Sequence, residues 1–226
     1  MASGENGLTR AQHVYEVLRL GILRGEYSPG APLRLQELSE TFGVSMSVVR
    51  EALTRLTERH LATNFPNAGF KVVDVSAADL QDLVEMRVEL EGLALVRSIE
   101  RGDVDWAAQV ISAHYVLENT PFWPEGEGVL GTTDEWSIAH EAFHDSLGAA
   151  CGSPRLISYT RILRDSGELY RQISGAGGQT STRDVAGEHK ELMELATTRQ
   201  AEKARLALKH HFESTAASAI LALQKI

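Results

Sequence analysis

The order of elements within residues 33–70 constrains the fold of this chain more than any other feature. A short amphipathic segment over residues 35–42 is followed by a turn at Gly43, and a second helical segment runs from about residue 46 to 59. Glycine tolerates a sharp turn between two crossing helices because it has no Cβ. A hairpin-like stretch with a Pro-Asn-Ala-Gly tip follows at residues 64–70. This order predicts a winged helix-turn-helix.

The outward face of the second helical segment is predicted to contact DNA. Val49, Leu53 and Leu56 recur at helical spacing and are expected to pack inward. A recognition helix presents its first-turn residues to base edges, and an arginine there can bind guanine or phosphate. Ser45 is also expected to accept a hydrogen bond from this helix as its N-cap. The predicted contacts are Ser45, Met46, Ser47 and Arg50, with Asn67 and Gly69 in the wing beside the phosphate backbone.

The charge of the chain is distributed unevenly around a net charge of −9. Residues 1–73 carry 8 Lys and Arg against 7 Asp and Glu, whereas residues 74–226 carry 14 against 24. A nearly neutral DNA-binding head beside an acidic second domain predicts weak non-specific binding to DNA. A single Cys151 excludes a disulfide framework within the chain. No apolar run approaches the roughly 20 residues that span a bilayer, and no signal peptide is evident, so a cytoplasmic protein is expected.

The chain is predicted to be mainly α-helical and to contain two domains. A boundary at residues 74–76 separates a winged helix-turn-helix domain, 1–74, from an all-helical domain, 75–226. Ser76 and Asp79 at this boundary resemble a capping box with Asp in place of Glu. Six amphipathic segments follow, near residues 77–100, 104–118, 132–149, 153–173, 183–198 and 201–223. They predict an antiparallel bundle of six to seven helices.

Four histidines of the second domain are candidate metal ligands. His140 and His144 lie at i and i+4 on one helix face, an arrangement that can chelate one ion. His189 is on a later helix, and His211 follows the apolar stripe of the last helix, whereas His210 is expected to face solvent. The four imidazoles would then converge from three helices inside the bundle. A hydrogen-bonded core histidine is the common alternative for each of them.

The first of these helices also contains the pattern His-Glu-x-x-His, in which Glu141 would be the general base of a zinc peptidase. The pattern is short, and the all-helical context offers no substrate strand beside it. Metal-assisted hydrolysis is therefore the weaker alternative, and the chain is predicted not to be an enzyme.

The helix-turn-helix residues resemble the GntR family of bacterial transcription regulators. The resemblance rests on Gly-Val-Ser-Met-Ser-Val-Val-Arg-Glu-Ala-Leu at residues 43–53 and on Gly-Ala-Pro-Leu-Arg at residues 30–34. It adds Arg34 to the predicted DNA contacts. The family usually has an arginine where Met46 stands and often a proline at Val48, so the affinity or site preference of this chain is expected to differ. From the pattern alone, a plain helical hairpin with solvated arginines remains the alternative.

The second domain resembles the FCD effector domain of the FadR subgroup. The resembling segments are Glu-Met-Arg-Val-Glu-Leu-Glu at residues 85–91, the Phe-His pair ending at His144, the Glu-His pair ending at His189, and the final histidine, His211. The resemblance implies a metal site of one aspartate and three histidines, and His140 stands where the aspartate belongs. Four nitrogen ligands favour Zn²⁺, with Ni²⁺ or Cu²⁺ as alternatives, over Mn²⁺ or Mg²⁺.

The resemblance extends from about residue 10 to 212 and implies a ligand-controlled transcription regulator, more often a repressor than an activator. A homodimer would bind a palindromic double-stranded DNA operator, and the bundle would hold a divalent metal ion with a small carboxylate metabolite. Arg87 is the candidate for pairing with this effector, and an ion pair with Glu91 at i+4 is the alternative. A regulator that senses the metal ion alone is the second functional alternative.

Overall fold

The structure is a computed structural model that describes residues 9–65, 69–123, 132–175 and 183–224. The chain separates into two compact units, the first ending at Val75 and the second beginning at Ser76. The described residues form nine helices and three short strands. The chain is thus mainly helical, with a winged helix-turn-helix in the first unit and a helical domain in the second, which confirms the predicted fold class.

Three helices and a small sheet form the first unit. The helices are α1, Arg10–Leu23; α2, Leu35–Phe42; and α3, Met46–Glu58. Apolar side chains at helical spacing face one core between α1 and α3. The buried set includes Val14, Leu18 and Ile22 of α1 and Val49, Leu53 and Leu56 of α3. The predicted inward face of α3 is therefore confirmed, and its opposite face is exposed.

The sheet of the first unit has three antiparallel strands in the order β1-β3-β2. They are β1, Pro32–Leu33; β2, Ala62–Phe65; and β3, Gly69–Val72. β2 and β3 form the predicted hairpin, with Phe65 opposite Gly69. The sequence does not predict β1, because two residues are too few to show the alternation of a strand. Pairing of Leu33 with Phe70 of β3 defines this strand.

Gly43 ends α2 in the left-handed conformation with a φ of 61°, which glycine adopts without steric cost. The tight turn predicted between α2 and α3 is therefore present. The predicted capping bond of Ser45 is wrong, because its side chain makes no such bond although it occupies the N-cap position. Its hydroxyl lies instead 2.8 Å from the hydroxyl of Ser47, and the two exposed groups share a hydrogen bond on the surface of the protein.

Six helices make up the described part of the second unit. They are α4, Ala77–Arg101; α5, Val104–Glu118; α6, Asp134–Gly148; α7, Pro154–Gly175; α8, Val185–Thr197; and α9, Ala201–Leu223. Each end lies within two residues of the sequence prediction. Gly175 is the last residue of α7, and residues 176–182 lie outside the described residues. Across the described ranges, no helix has the length and apolar character that crossing a membrane requires.

The hydrophobic core of the second unit surrounds the positions of the candidate ligands. Phe143 of α6, Leu192 of α8 and Phe212 of α9 are among its fully buried side chains. Each of these residues is adjacent to a candidate histidine in sequence or one turn away from it. The apolar faces that pack the bundle therefore carry the histidines inward as well.

The start of α4 is held by bonds that differ in part from the predicted capping box. Ser76 Oγ accepts a hydrogen bond from the backbone N–H of Asp79 at 3.0 Å, as expected. In a capping box, the side chain three residues later would accept a hydrogen bond from the backbone N–H of the first residue. Here the backbone N–H of Ser76 donates instead to Tyr170 Oη of α7, at 3.1 Å. The Tyr170 hydroxyl in turn donates to the Asp79 carboxylate at 2.7 Å. A tertiary contact from α7 thus replaces half of a local motif.

Candidate DNA-binding face and metal centre

The exposed face of α3 carries most of the side chains predicted to contact DNA. Met46, Ser47 and Arg50 are exposed near its N-terminal end, and Ser45 is exposed just before it. Together with Thr54, the three helical residues line an open groove along α3. The opposite face of α3 is packed into the core, so the helix presents one free face that begins with its first turn. That geometry is the one required of a recognition helix.

The remaining predicted DNA contacts lie away from this helix face. Arg34 is exposed, and its Nη1 lies 2.8 Å from Glu37 Oε1 in a solvated ion pair that contributes little to stability. Gly69 begins β3 with a φ of 80°, a left-handed conformation that suits glycine at the base of the wing. Asn67 lies outside the described residues.

The four candidate metal ligands converge in the second unit. His140 and His144 come from α6, His189 from α8 and His211 from α9. Each offers one ligand atom, and these atoms lie within 4.8 Å of one another. Zn–N bonds of about 2.0–2.1 Å in a tetrahedral site separate the nitrogens by about 3.4 Å. Small movements of the imidazoles would therefore bring all four nitrogens to one ion.

Burial keeps these imidazoles neutral. His144, His189 and His211 are buried, and the ring of His140 is enclosed by aromatic neighbours although part of its surface is exposed. Loss of hydration lowers the pKa of His140, His144 and His189 well below its usual value, and it lowers the pKa of His211 as well. Repulsion among the imidazoles and from nearby guanidinium groups acts in the same direction. A neutral imidazole retains the lone pair that binds a metal.

Two ring nitrogens in this cluster are buried and have no hydrogen-bond partner among the described residues. They are His144 Nε2 and His189 Nε2. A buried polar atom left unsatisfied costs about 1–3 kcal/mol, so such atoms mark a position for a bound group. A divalent cation between the imidazoles would satisfy both nitrogens at once. The donor set therefore fits a metal ion, and its four nitrogens favour Zn²⁺, Ni²⁺ or Cu²⁺.

Glu188 orients His211 from outside the cluster. Its Oε2 lies 2.7 Å from His211 Nδ1, and a carboxylate only accepts, so Nδ1 carries the proton and Nε2 keeps the lone pair. Arg183 Nη2 is also 3.2 Å from Nδ1, but two donors do not bond, so the closer carboxylate decides the tautomer. Arg183 Nε binds the other Glu188 oxygen at 2.7 Å. Burial alone would raise the pKa of Glu188, but the bonds from Arg183 and His211 lower it to about 2.

Trp136 forms a wall of the cluster beside His140. The two rings are nearly parallel, with an angle of 20° and centroids 4.6 Å apart. The guanidinium carbon of Arg171 lies 4.9 Å from the centre of the same indole ring. This packing fixes the orientation of the His140 ring. Trp136 and His140 are spaced i, i+4 in the sequence, and this spacing could have predicted their contact. No local pattern predicts that Arg171 lies beside Trp136.

Arg87 forms an ion pair with Glu91, which is the predicted alternative to pairing with an effector. Its Nε lies 2.7 Å from Glu91 Oε1, and its guanidinium carbon is 3.9 Å from the ring centre of Phe212. Arg164 Nε binds the other oxygen of Glu91, also at 2.7 Å. Burial opposes ionisation of Glu91, but the two guanidinium groups hold the pKa of this carboxyl below its usual value. Both arginines also add to the effect of burial in lowering the pKa of His144, so positive charge borders the cluster.

Glu141 is exposed on α6, whereas His144, His189 and His211 are buried. A general base must lie within hydrogen-bond reach of the water that it activates, and here the carboxylate is on the surface while the imidazoles lie inside the bundle. The His-Glu-x-x-His pattern therefore does not form the arrangement that a zinc peptidase needs.

A winged helix-turn-helix unit followed by a separate helical unit with a buried polar centre defines a DNA-binding transcriptional regulator. Residues 10–72 match the bacterial regulatory proteins of the gntR family, and residues 82–214 match the FCD domain. The chain belongs to the GntR family, and its second unit contains an FCD domain. The family and its relatives are transcriptional regulators and not enzymes.

Several known proteins are similar to this chain over most of its length. The HTH-type transcriptional regulator BphR of Paraburkholderia xenovorans (strain LB400) is 32% identical over 89% of this chain and 81% of its own length. The HTH-type transcriptional repressor GlaR of Escherichia coli (strain K12) is 31% identical over 70% of this chain and 71% of its own length. The structure of E. coli McbR/YncC matches 96% of this chain and 99% of its own, with a TM-score of 0.75 at 21% identity. At that identity the likeness shows the fold alone.

Proposed function

We propose that this protein is a metal-loaded transcriptional repressor whose affinity for DNA is controlled by a small carboxylate bound in its second domain. Residues 1–74 form the DNA-binding domain and residues 75–226 the effector-binding domain in this proposal. The observation that carries it is the convergence of four imidazoles, two of whose nitrogens are buried without a hydrogen-bond partner among the described residues. These imidazoles belong to the second unit, whereas the recognition helix belongs to the first. Repression is supported by the similarity to GlaR, which is named a repressor.

The metal is proposed to be Zn²⁺, with Ni²⁺ as the alternative. The ligands are His140, His144, His189 and His211, all neutral and all nitrogen donors. Bound there, the ion would supply a buried positive charge and Lewis acidity that attract an anionic group. Glu188 supports the site by fixing the tautomer of His211, the kind of outer contact that tunes ligand orientation.

The effector is proposed to be a small carboxylate because arginine side chains surround the cluster. Arg87, Arg164, Arg171 and Arg183 lie near enough to affect at least one cluster histidine, and each is held by an ion pair with a carboxylate. Arg87 is the proposed direct contact. If its guanidinium turns from Glu91 to the effector, Arg164 still neutralises the Glu91 carboxylate. The exchange would therefore leave no unpaired buried charge.

A regulator that responds to the metal ion alone is the second candidate function. The observation that favours it is the number of protein ligands, because four imidazoles fill a tetrahedral shell and leave no open position for an effector. A carboxylate effector would need a coordination shell of five or six. Titration of DNA affinity with metal in the absence of any organic acid separates the two candidates.

The DNA target is proposed to be a palindromic operator bound by a homodimer, and α5 offers a surface for the dimer. Val104, Ala108, Ile111 and Tyr115 form an exposed stripe on α5, and residues 106–117 contain no charged side chain. The four residues of the stripe have the same spacing when read in either direction along α5. An antiparallel second copy would place Val104 opposite its Tyr115 and Ala108 opposite its Ile111, as a two-fold interface requires. Two recognition helices about 34–36 Å apart then read the two half-sites.

The proposal is tested by measuring metal and DNA binding on the same full-length sample. Metal content is determined by mass spectrometry after expression, and binding to DNA fragments from around its own gene is followed by fluorescence anisotropy. We expect about one Zn²⁺ or Ni²⁺ ion per chain, tight DNA binding, and release by one or more small carboxylates. Effector binding can release DNA only if it favours one arrangement of the protein over another. Failure to bind any such fragment, with or without metal, would overturn the proposal.

A further inference from the structure

Met46 is an apolar side chain in the middle of an otherwise polar DNA-facing surface. It is the first residue of α3, and 56% of its surface is exposed. Ser45 and Ser47 lie on either side of it, and Arg50 lies one turn later on the same helix face. Exposed apolar residues that are scattered singly need no explanation. Met46 differs because it lies in the first turn of α3, where a recognition helix contacts base edges.

The neighbours of Met46 leave its thioether as the projecting group of this turn. The hydroxyls of Ser45 and Ser47 lie 2.8 Å apart and share one hydrogen bond, so one of the two O–H groups is engaged within the protein. Methionine itself donates no hydrogen bond and accepts only weakly, so it cannot read the polar edges of guanine, adenine or cytosine. The major groove presents one apolar feature to such a side chain, the C5-methyl group of thymine.

We propose that Met46 reads the 5-methyl group of a thymine in each operator half-site. The inference deepens the proposed DNA-binding function and depends on it. An unbranched, flexible thioether adapts its shape to a methyl group and excludes water from it. Arg50 is the natural partner in recognition, since its guanidinium can bind guanine with two hydrogen bonds. Four residues along the helix span about 6 Å, so the thymine and the guanine should lie within about two base pairs of each other.

The test replaces thymine with deoxyuridine, which lacks only this methyl group. Full-length protein selects its binding site from a randomised duplex library, and each thymine of the selected site is then replaced singly by deoxyuridine. Loss of one buried methyl contact corresponds to about a fourfold weaker Kd. We expect this loss at one thymine position in each half-site and no change at the others. Met46→Ala should bind the thymine site more weakly and should no longer distinguish thymine from deoxyuridine.

Controls keep the result specific to this residue. Leu206→Ala removes a comparably exposed apolar side chain from α9, in the other unit, and should retain the deoxyuridine effect. More than half of the Met46 surface is exposed, and alanine favours helix, so Met46→Ala should stay folded. Wild-type protein that binds DNA without any deoxyuridine-sensitive position overturns the inference, as does a Met46→Ala variant that keeps the sensitivity. Protein that selects no site at all overturns the DNA-binding proposal itself.

Discussion

At the scale of single residues, the candidate metal centre combines neutral donors with a charged outer contact. Burial keeps the four imidazoles uncharged, and the Glu188 carboxylate stays ionised at their border. A ligand atom that is unprotonated and already in position loses little freedom on binding metal.

His211→Ala should weaken binding of Zn²⁺ far more than His210→Ala. Removing an outer contact of a metal ligand already costs about 10–100-fold, so we expect removal of a ligand itself to cost more than about 100-fold. His210 is its neighbour on α9 but is exposed, and its loss should leave the Kd unchanged. Isothermal titration of the metal-free proteins measures both constants. Equal affinities of the two variants would show that His211 is not a ligand.

Glu188→Gln should reduce metal affinity by about tenfold, because the amide still accepts the bond from His211 but no longer stabilises its ring as a charged partner. Glu191→Gln, at an exposed position of the same helix, is the matched control. Circular dichroism verifies that both variants remain folded. A Glu188→Gln variant with wild-type affinity would contradict the role assigned to this carboxylate.

His140→Asp should change which metal the protein prefers. An oxygen donor in place of one nitrogen favours harder ions, so the ratio of Mn²⁺ to Ni²⁺ affinity should rise by at least about tenfold. Competition titrations of wild type and variant against the two ions measure this ratio. Fluorescence of Trp136, which stacks on His140, offers a second readout of ion binding. An unchanged ratio would place His140 outside the coordination shell.

At the scale of elements, α4 is joined to α7 by a buried ion network centred on Glu91. Its carboxylate binds Arg87 of the same helix and Arg164 of α7, and Arg164 also binds Asp145 of α6. Breaking a buried ion pair by removing one partner is expensive, because the remaining charge loses its compensation. This network therefore fixes how three helices pack beside the histidine cluster.

Glu91→Gln should lower the free energy of unfolding at pH 7 by about 3 kcal/mol. The folded protein lowers the pKa of Glu91 from its ordinary 4.5, so the charge contributes fully above that value and its contribution is lost as the pH falls below it. The difference between wild type and variant should therefore shrink in urea titrations below pH 4.5. Glu89→Gln, an exposed residue of α4, should change stability by no more than about 0.5 kcal/mol. A pH-independent difference would contradict this account.

At the scale of the whole molecule, the proposed binding to a palindromic operator would require two chains to associate. Ile111→Glu places a charge in the middle of the exposed apolar stripe of α5 and should dissociate the proposed dimer. Sedimentation velocity should show a monomer, and operator affinity should fall by about 10²-fold or more because two half-sites are no longer bound together. Leu206→Glu on α9 is the control for an exposed apolar residue elsewhere. Dissociation by Leu206→Glu instead would assign the dimer to another surface.

Much of the fold and of the candidate site could be predicted from local patterns. The helical spacing of Val49, Leu53 and Leu56 identified the inward face of α3, and the i, i+4 pair of His140 and His144 identified one side of the histidine cluster. These signals are local because a helix repeats every 3.6 residues. The capping bond of Ser45 was predicted wrongly, since a neighbouring hydroxyl competes for the same side chain.

The sequence by itself determined the helix-turn-helix, the bounds of α2 to α9 to within two residues and the helix faces that carry the histidines. Only the tertiary structure decided that β1 pairs with β3, that Glu188 of α8 accepts a hydrogen bond from His211 of α9, and that Arg164 completes the Glu91 ion network. The physical reason is the range of each interaction. Periodicity and turn geometry act over a few residues, whereas contacts between distant residues exist only after packing has set the distance between their elements.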